Sequence, residues 1–208
     1  MQIELKQIGR RFNREWIFKK INYSFKSGES YAILGINGSG KSTFLQVISG
    51  SLSPSFGELI YSQNKQELNV EDIFEHLSIA APYLELIEEF TLIEVLDFHF
   101  QFKKRIAVID NKDLIALLGM ESSQHKELKY FSSGMKQRVK LILAFCSDTS
   151  ILLLDEPTAN LDEQGVQWYK DLVNKFTDNR LVIVCSNQSH EYDFCNHQIQ
   201  IADYKINS

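Results

Sequence analysis

The sequence predicts an α/β domain in which a mostly parallel sheet is covered by helices on both faces. Three observations carry this. Short continuous apolar runs, Tyr31-Ala32-Ile33-Leu34, Ile151 to Leu154 and Leu181 to Cys185, read as strands buried on both sides. Segments of helical periodicity alternate with those runs. A glycine-rich turn, Gly35 to Gly40, joins the first run to one of the helical segments.

Taken in order, Ile3 to about Ser30 alternates apolar and polar residues around the turn-rich Asn13-Arg14-Glu15, which suits antiparallel strands. The buried strand Tyr31 to Leu34 runs into the glycine-rich turn. Ser42 to Ser49 follows as a helix with Phe44, Leu45 and Ile48 on one face; Gly50 closes it and Pro54 prevents its continuation. Another strand is expected around Glu58 to Tyr61. Thr91-Leu92-Ile93-Glu94 has the form of a capping box, opening a long aromatic-rich helix to about Lys104. A second helix, roughly Lys112 to Leu118, ends at Gly119, and the two make a separate lobe. Ser132 caps a helix through about Ser147. After the strand Ile151 to Leu154, a helix near Asp162 to Phe176 places Val166, Tyr169, Leu172, Val173 and Phe176 at helical spacing, and the strand Leu181 to Cys185 comes next. We expect one domain, with a β lobe and core in about 1–87 and 150–208 and a helical lobe in about 88–149.

Composition bounds the function. With 208 residues, 44% of them hydrophobic, the chain can build one compact domain with a real core. The formal net charge is -5 and no run of Lys or Arg stands out, so no basic stripe for a nucleic acid is suggested. The 3 cysteines are odd in number and form no CxxC pair, which supports neither a disulfide framework nor a zinc site. Cys146 and Cys185 fall in apolar runs and read as small core residues in a reducing compartment. The N-terminus lacks the pattern of a signal peptide, and the apolar runs are too short to span a bilayer. Any membrane association is therefore expected through a partner.

Two motifs carry chemistry on their own terms. Gly35-Ile36-Asn37-Gly38-Ser39-Gly40-Lys41-Ser42-Thr43 fits the P-loop pattern, with a strand before it and a helix after it. Glycines let the backbone wrap phosphates with its N–H groups pointing inward, and the helix N-terminus adds partial positive charge. Lys41 is expected to reach the β- and γ-phosphates, and Ser42 to ligate Mg²⁺. The second motif is the strand Ile151 to Leu154 ending in Asp155-Glu156, which delivers two carboxylates to the edge where ligands of open α/β sheets bind. Asp155 would support the Mg²⁺ shell, and Glu156 would orient and polarise the attacking water.

A third segment, Phe131-Ser132-Ser133-Gly134-Met135-Lys136-Gln137-Arg138-Val139, resembles the LSGGQ-type signature of ABC ATPases. Pro157-Thr158-Ala159-Asn160-Leu161-Asp162 looks like that family's D-loop, and the order and spacing of all these motifs fit over essentially the whole chain. The resemblance implies a P-loop NTPase of ABC type, with an antiparallel β lobe and a helical lobe beside the core, that binds and hydrolyses ATP with Mg²⁺. It further implies a head-to-tail dimer, of two copies or with another ABC subunit, in which Ser132 and Gly134 of one subunit meet the γ-phosphate held by the other. An integral-membrane transporter subunit is then the expected partner, with this chain cytoplasmic and peripheral on the inner face of the cell membrane. The short chain and its Ser-Ser-Gly-Met signature resemble exporter ATPases more than the sugar-import type with its extra C-terminal domain. Two rivals stay open: a non-transport ABC ATPase, which usually carries long coiled coils that do not fit here, and an ATP-dependent switch module that hydrolyses weakly.

Alignment to the family without gaps puts Phe12 at the adenine-stacking position, with Trp16 as the alternative. Two positions depart from the pattern. Where the family usually has a Gln after the strand Leu77 to Ala81, this chain has Pro82, followed by Tyr83. Where the family has a His after the strand ending at Cys185, this chain reads Ser186-Asn187-Gln188, so Asn187 takes the position and His190 remains a second candidate. His99, His125 and His197 are read as surface or helix residues.

Overall fold

The computed structural model describes residues 1–107 and 109–205. The chain opens with β1 (Gln2–Phe12), β2 (Glu15–Lys26) and β3 (Ser30–Leu34), then α1 (Lys41–Ile48). After β4 (Phe56–Gln63), β5 (Gln66–Leu68) and β6 (Leu77–Ala80) come α2 (Leu92–Phe102), α3 (Asn111–Leu118) and α4 (Ser133–Phe145). The chain then returns through β7 (Ile151–Asp155), α5 (Glu163–Phe176), β8 (Leu181–Ser186), α6 (Ser189–Tyr192) and β9 (His197–Gln200).

Two sheets result. The antiparallel sheet has the order β2-β1-β4-β5, and the parallel sheet β6-β7-β8-β3-β9. The first grows from the alternation seen in the sequence. Ile3, Leu5, Phe18, Ile21 and Phe25 are buried, and the β1–β2 turn closes at Asn13 with φ 54°, a left-handed conformation that Asn tolerates.

The parallel strands alternate between two cores, as period-2 side chains must. Ile151, Leu153, Leu181, Ile183 and Cys185 pack with Phe44, Leu45, Val47 and Ile48 of α1 and with the antiparallel lobe. Leu152, Leu154, Val182 and Val184 face the other way, onto α4, α5 and the helices of the intervening lobe. This is why those strands read as unbroken apolar runs. Four of the helices open on side-chain caps, two of them, Thr91 and Ser132, expected from the sequence. Thr91 and Asp110 make reciprocal capping boxes with Glu94 and Asp113, and the Ser132 and Asp162 side chains accept from the third backbone N–H ahead of them.

Strand register decides what meets at the ligand edge. Leu34 pairs with Ser186, and Asp155 with Cys185, so the C-terminal ends of β3, β8 and β7 lie side by side. Among the strands and α-helices of the described residues, β5, α6 and β9, each of 3 or 4 residues, go beyond the sequence expectation. Such short pieces show no periodicity, and tertiary pairing alone fixes them. Cys146 and Cys185 are buried free thiols, and Cys195 is half-buried.

Candidate functional site

β3 delivers the chain to its C-terminal edge, and the glycine loop turns it into α1. Gly40, the N-cap of α1, has φ 105°, and a side chain there would meet Ile17 Cγ2 at 2.4 Å, so both conformation and space demand glycine. The same contact shows that β2 crosses directly over the loop. Lys41 is buried, and its ammonium donates to the carbonyls of Gly35 at 2.7 Å and Ile36 at 3.3 Å, folded back onto the loop. The hydroxyl oxygen of Ser39 is buried with no partner. Thr43 follows Ser42 in the first turn of α1.

Two strands away, Asp155 is 1% exposed, and its Oδ1 is buried without a partner. Burial pushes its carboxyl up to about 6; the Ser42 hydroxyl and the Lys41 ammonium pull the other way, and Glu156 adds to the rise. An orphaned carboxylate oxygen beside a serine hydroxyl at a helix N-terminus is a hard-oxygen donor set. It fits a Mg²⁺ ion whose remaining ligands are phosphate and water. Glu156 holds a left-handed conformation, φ 43°, and its N–H donates to Cys185 O at 2.9 Å. For a non-glycine residue this is a strained backbone at a candidate catalytic position.

Asn187 leaves β8 between the P-loop strand and the Asp155 strand. Its side-chain amide donates to Asn37 Oδ1 at 3.1 Å, so it is docked on the P-loop. His190 goes elsewhere, its Nε2 lying 3.0 Å from Thr158 Oγ1. Phe12 and Trp16 also separate. Phe12 pairs with Glu15 and Arg11 with Trp16, and cross-strand partners share a face. Phe12 therefore lies on the face of Ile17, toward the P-loop, 46% exposed, with the Arg10 guanidinium 4.6 Å from its ring centroid. Trp16 lies on the opposite face, across Gly9, with Lys19 4.7 Å from its ring centroid.

After Pro82 the chain turns sharply, Leu84 N–H donating to Ala81 O at 3.2 Å. The β6–β7 register sets this turn beside Asp155, with the Tyr83 side chain near Gln46 of α1. Burial, with the Asp155 carboxylate adding to it, raises the Tyr83 hydroxyl pKa.

The segment Ser132 to Gly134 starts α4 on the far side. Ser132 Oγ accepts from Met135 N–H at 3.2 Å. A side chain at Gly134 would lie 2.8 Å from the Asn160 carbonyl oxygen, and the buried Gln137 amide donates to Pro157 O at 2.8 Å. Residues 157–160 are thereby clamped to the start of α4 within one chain. Gln137 and the buried Glu191 are the partners that sequence reasoning did not single out. Gln137 lay inside the signature segment with nothing to show its partner, and Glu191 lay in a polar segment with no periodic signal.

Residues 18–159 match the family described as ABC transporter. Among curated relatives, a Staphylococcus haemolyticus protein provisionally named hemin import ATP-binding protein HrtA is 30% identical over 224 residues, covering 99% of this chain and 99% of that one. The uncharacterized ABC transporter ATP-binding protein YybJ of Bacillus subtilis is 29% identical over 195 residues, covering 91% and 86%. Among solved structures, the ATP-binding cassette MJ0796, a dimer in a post-hydrolysis state with ADP and Pi, superposes with a TM-score of 0.82 at 22% identity, covering 99% of this chain and 97% of that one. A glycine loop facing an orphaned buried carboxylate on a parallel sheet, a serine-capped signature helix and this family match converge on one conclusion: the chain belongs to the ABC transporter family, as an ATP-binding, ATP-hydrolysing cassette.

Proposed function

We infer that this single domain uses two ATP molecules to close a head-to-tail dimer, of two copies or with another ABC subunit, and so drives a membrane-spanning partner. The observation that carries the reading is the convergence at one sheet edge of the glycine loop, Ser42 and the partnerless Oδ1 of Asp155. The backbone N–H groups of Gly35, Asn37, Gly38, Ser39 and Gly40 would cradle the phosphates. Lys41 would leave the Gly35 carbonyl for them, and Thr43 would extend the cradle into α1. Phe12 would stack on the adenine, where an aromatic face contributes about 1–3 kcal/mol. Ser42 and Asp155 would hold Mg²⁺, which when bound neutralises phosphate charge. Glu156 would take the proton of the attacking water. Asn187, an amide donor beside the loop, would steady the γ-phosphate directly or through a water.

Ser132 and Gly134 stand at a helix N-terminus, the group that would meet the γ-phosphate of the facing subunit. Among the described residues no helix is long and apolar enough to cross a membrane. In this reading, work on a membrane cargo would be done through an integral-membrane subunit, with this chain peripheral on its cytoplasmic side. The test is purification of the tagged chain from detergent-solubilised membranes. A multi-span membrane protein is expected to come with it, in proportion to the chain. A ribosome or DNA complex in its place would overturn the transport reading.

A further inference from the structure

Glu191 is 0% exposed, yet it is ionisable and belongs to no motif. Its carboxylate is met entirely by donors. Oε1 accepts from Thr158 N–H at 2.7 Å and from Thr158 Oγ1 at 2.5 Å, and Oε2 accepts from the Ser186 hydroxyl. None of the ion pairs among the described residues involves it. A buried carboxylate without a cation is tolerated only when hydrogen bonds fill its lone pairs, as they do here. Such a group is costly to retain unless its geometry serves something.

The geometry is a bridge. Thr158 lies two residues beyond Glu156, on the turn clamped to α4 through Pro157 and Asn160. On the other side, Ser186 Oγ donates to Glu191 and accepts the N–H of Gln188 at 2.8 Å, so its bonds bracket Asn187. Because the Thr158 hydroxyl donates to Glu191, it can only accept from His190 Nε2 at 3.0 Å, which assigns the ring proton to that nitrogen. Tyr169 OH donates to the Glu191 carbonyl at 2.8 Å and pins the short α6 to α5.

We propose that Glu191 is a positioning residue that locks the segment carrying Glu156 to the segment carrying Asn187, through Thr158 and Ser186, so that both reach one phosphate in fixed relation. This rests on the reading of Glu156 and Asn187 as site residues. It explains why a carboxylate stands here: every group facing it is a donor, and an acceptor-only side chain matches them.

The test is steady-state ATPase kinetics of the purified chain, with binding of a fluorescent ATP analogue and thermal unfolding measured on the same samples. Glu191→Ala is expected to lower kcat by roughly ten- to a hundredfold, the scale of misplacing a catalytic group from outside the chemistry, with analogue affinity held. Glu191→Gln, which keeps an oxygen for Thr158, restores most of that turnover. Thr158→Val, which loses only the hydroxyl bonds, lowers kcat in the same sense. The double variant Glu191→Ala/Thr158→Val is no worse than Glu191→Ala alone, because residues acting as one unit are not additive. Wild-type kcat in folded Glu191→Ala or Thr158→Val, or additive losses, would overturn the proposal. Glu156→Gln separates the two layers. If it keeps full turnover, the reading of the site itself fails; if it is inactive while Glu191→Ala and Thr158→Val are active, only the positioning role fails.

Discussion

The side-chain amide of Asn187 donates to Asn37 Oδ1 at 3.1 Å, joining the end of β8 to the P-loop across the ligand edge of the sheet. His190, three residues on, is committed to Thr158 instead. Asn187→Ala is therefore expected to slow single-turnover hydrolysis with little change in ATP affinity, and Asn187→His to equal or exceed wild type. Unchanged single-turnover rates in Asn187→Ala, alongside a large loss in His190→Ala, would transfer the role to His190.

The Lys41 ammonium is buried against the loop carbonyls. Lys41→Ala should abolish ATP hydrolysis and weaken ATP binding by about 2 kcal/mol, the scale of a charge-assisted hydrogen bond. Isothermal titration with ATP, beside an ATPase assay, checks both. Full activity in the variant would refute the P-loop assignment.

Glu156→Gln keeps the shape of the side chain and removes its base. A positioned acid–base group contributes roughly 10²–10⁴-fold in rate, so hydrolysis should fall by that scale while ATP accumulates in a closed dimer. Size-exclusion chromatography with saturating ATP should show the variant as a dimer. Ser132→Arg, added to it, should keep the protein monomeric by blocking the helix N-terminus. A monomeric Glu156→Gln at saturating ATP would contradict the shared-site mechanism.

Gly134 stands against a backbone oxygen, Asn160 O, with no room for a methyl group. Gly134→Ala must push α4 and the 157–160 turn apart, at a stability cost of about 1–3 kcal/mol for overpacking. ATPase activity should fall while a fluorescent ATP analogue still binds the monomer, because the P-loop lies elsewhere. Wild-type stability and activity together would show that the close approach is dispensable.

His99 on α2 sits 3.0 Å from Ser147 Oγ, and burial, helped by Lys103, lowers its pKa to about 4. The unfolded chain takes up this proton first, so the stability contribution is complete above about pH 6.5 and is lost as pH falls toward 4. Between pH 7 and pH 5 this group alone should cost roughly 2 kcal/mol. Urea unfolding of wild type and His99→Gln at both pH values measures it. The wild type should lose more stability on acidification than the variant, and equal losses would refute the assignment.

Much of the site was legible because its chemistry is contiguous in the chain. The P-loop needs glycines, a lysine and a serine within 9 residues, and the Asp155-Glu156 pair needs only a buried strand to carry it. Two caps were legible for the same reason: Thr91 and Ser132 act on backbone three residues away. Sequence alignment preferred Phe12 to Trp16 but could not give the face of either, since that needs the β1–β2 register, which irregularities shift at three points.

Local chemistry written in the chain thus determined the fold class, the nucleotide motifs and the helix starts, because these depend on spacings of a few residues and on burial of continuous apolar strands. Tertiary structure alone decided what stands beside what. The parallel register brought Asn187 between β3 and β7, packing against Asn160 explained Gly134, and a fully buried Glu191 found Thr158, 33 residues away. The physical reason is that burial and donor–acceptor matching act between segments distant in sequence, and a polar residue shows no trace of its partner until the chain is folded.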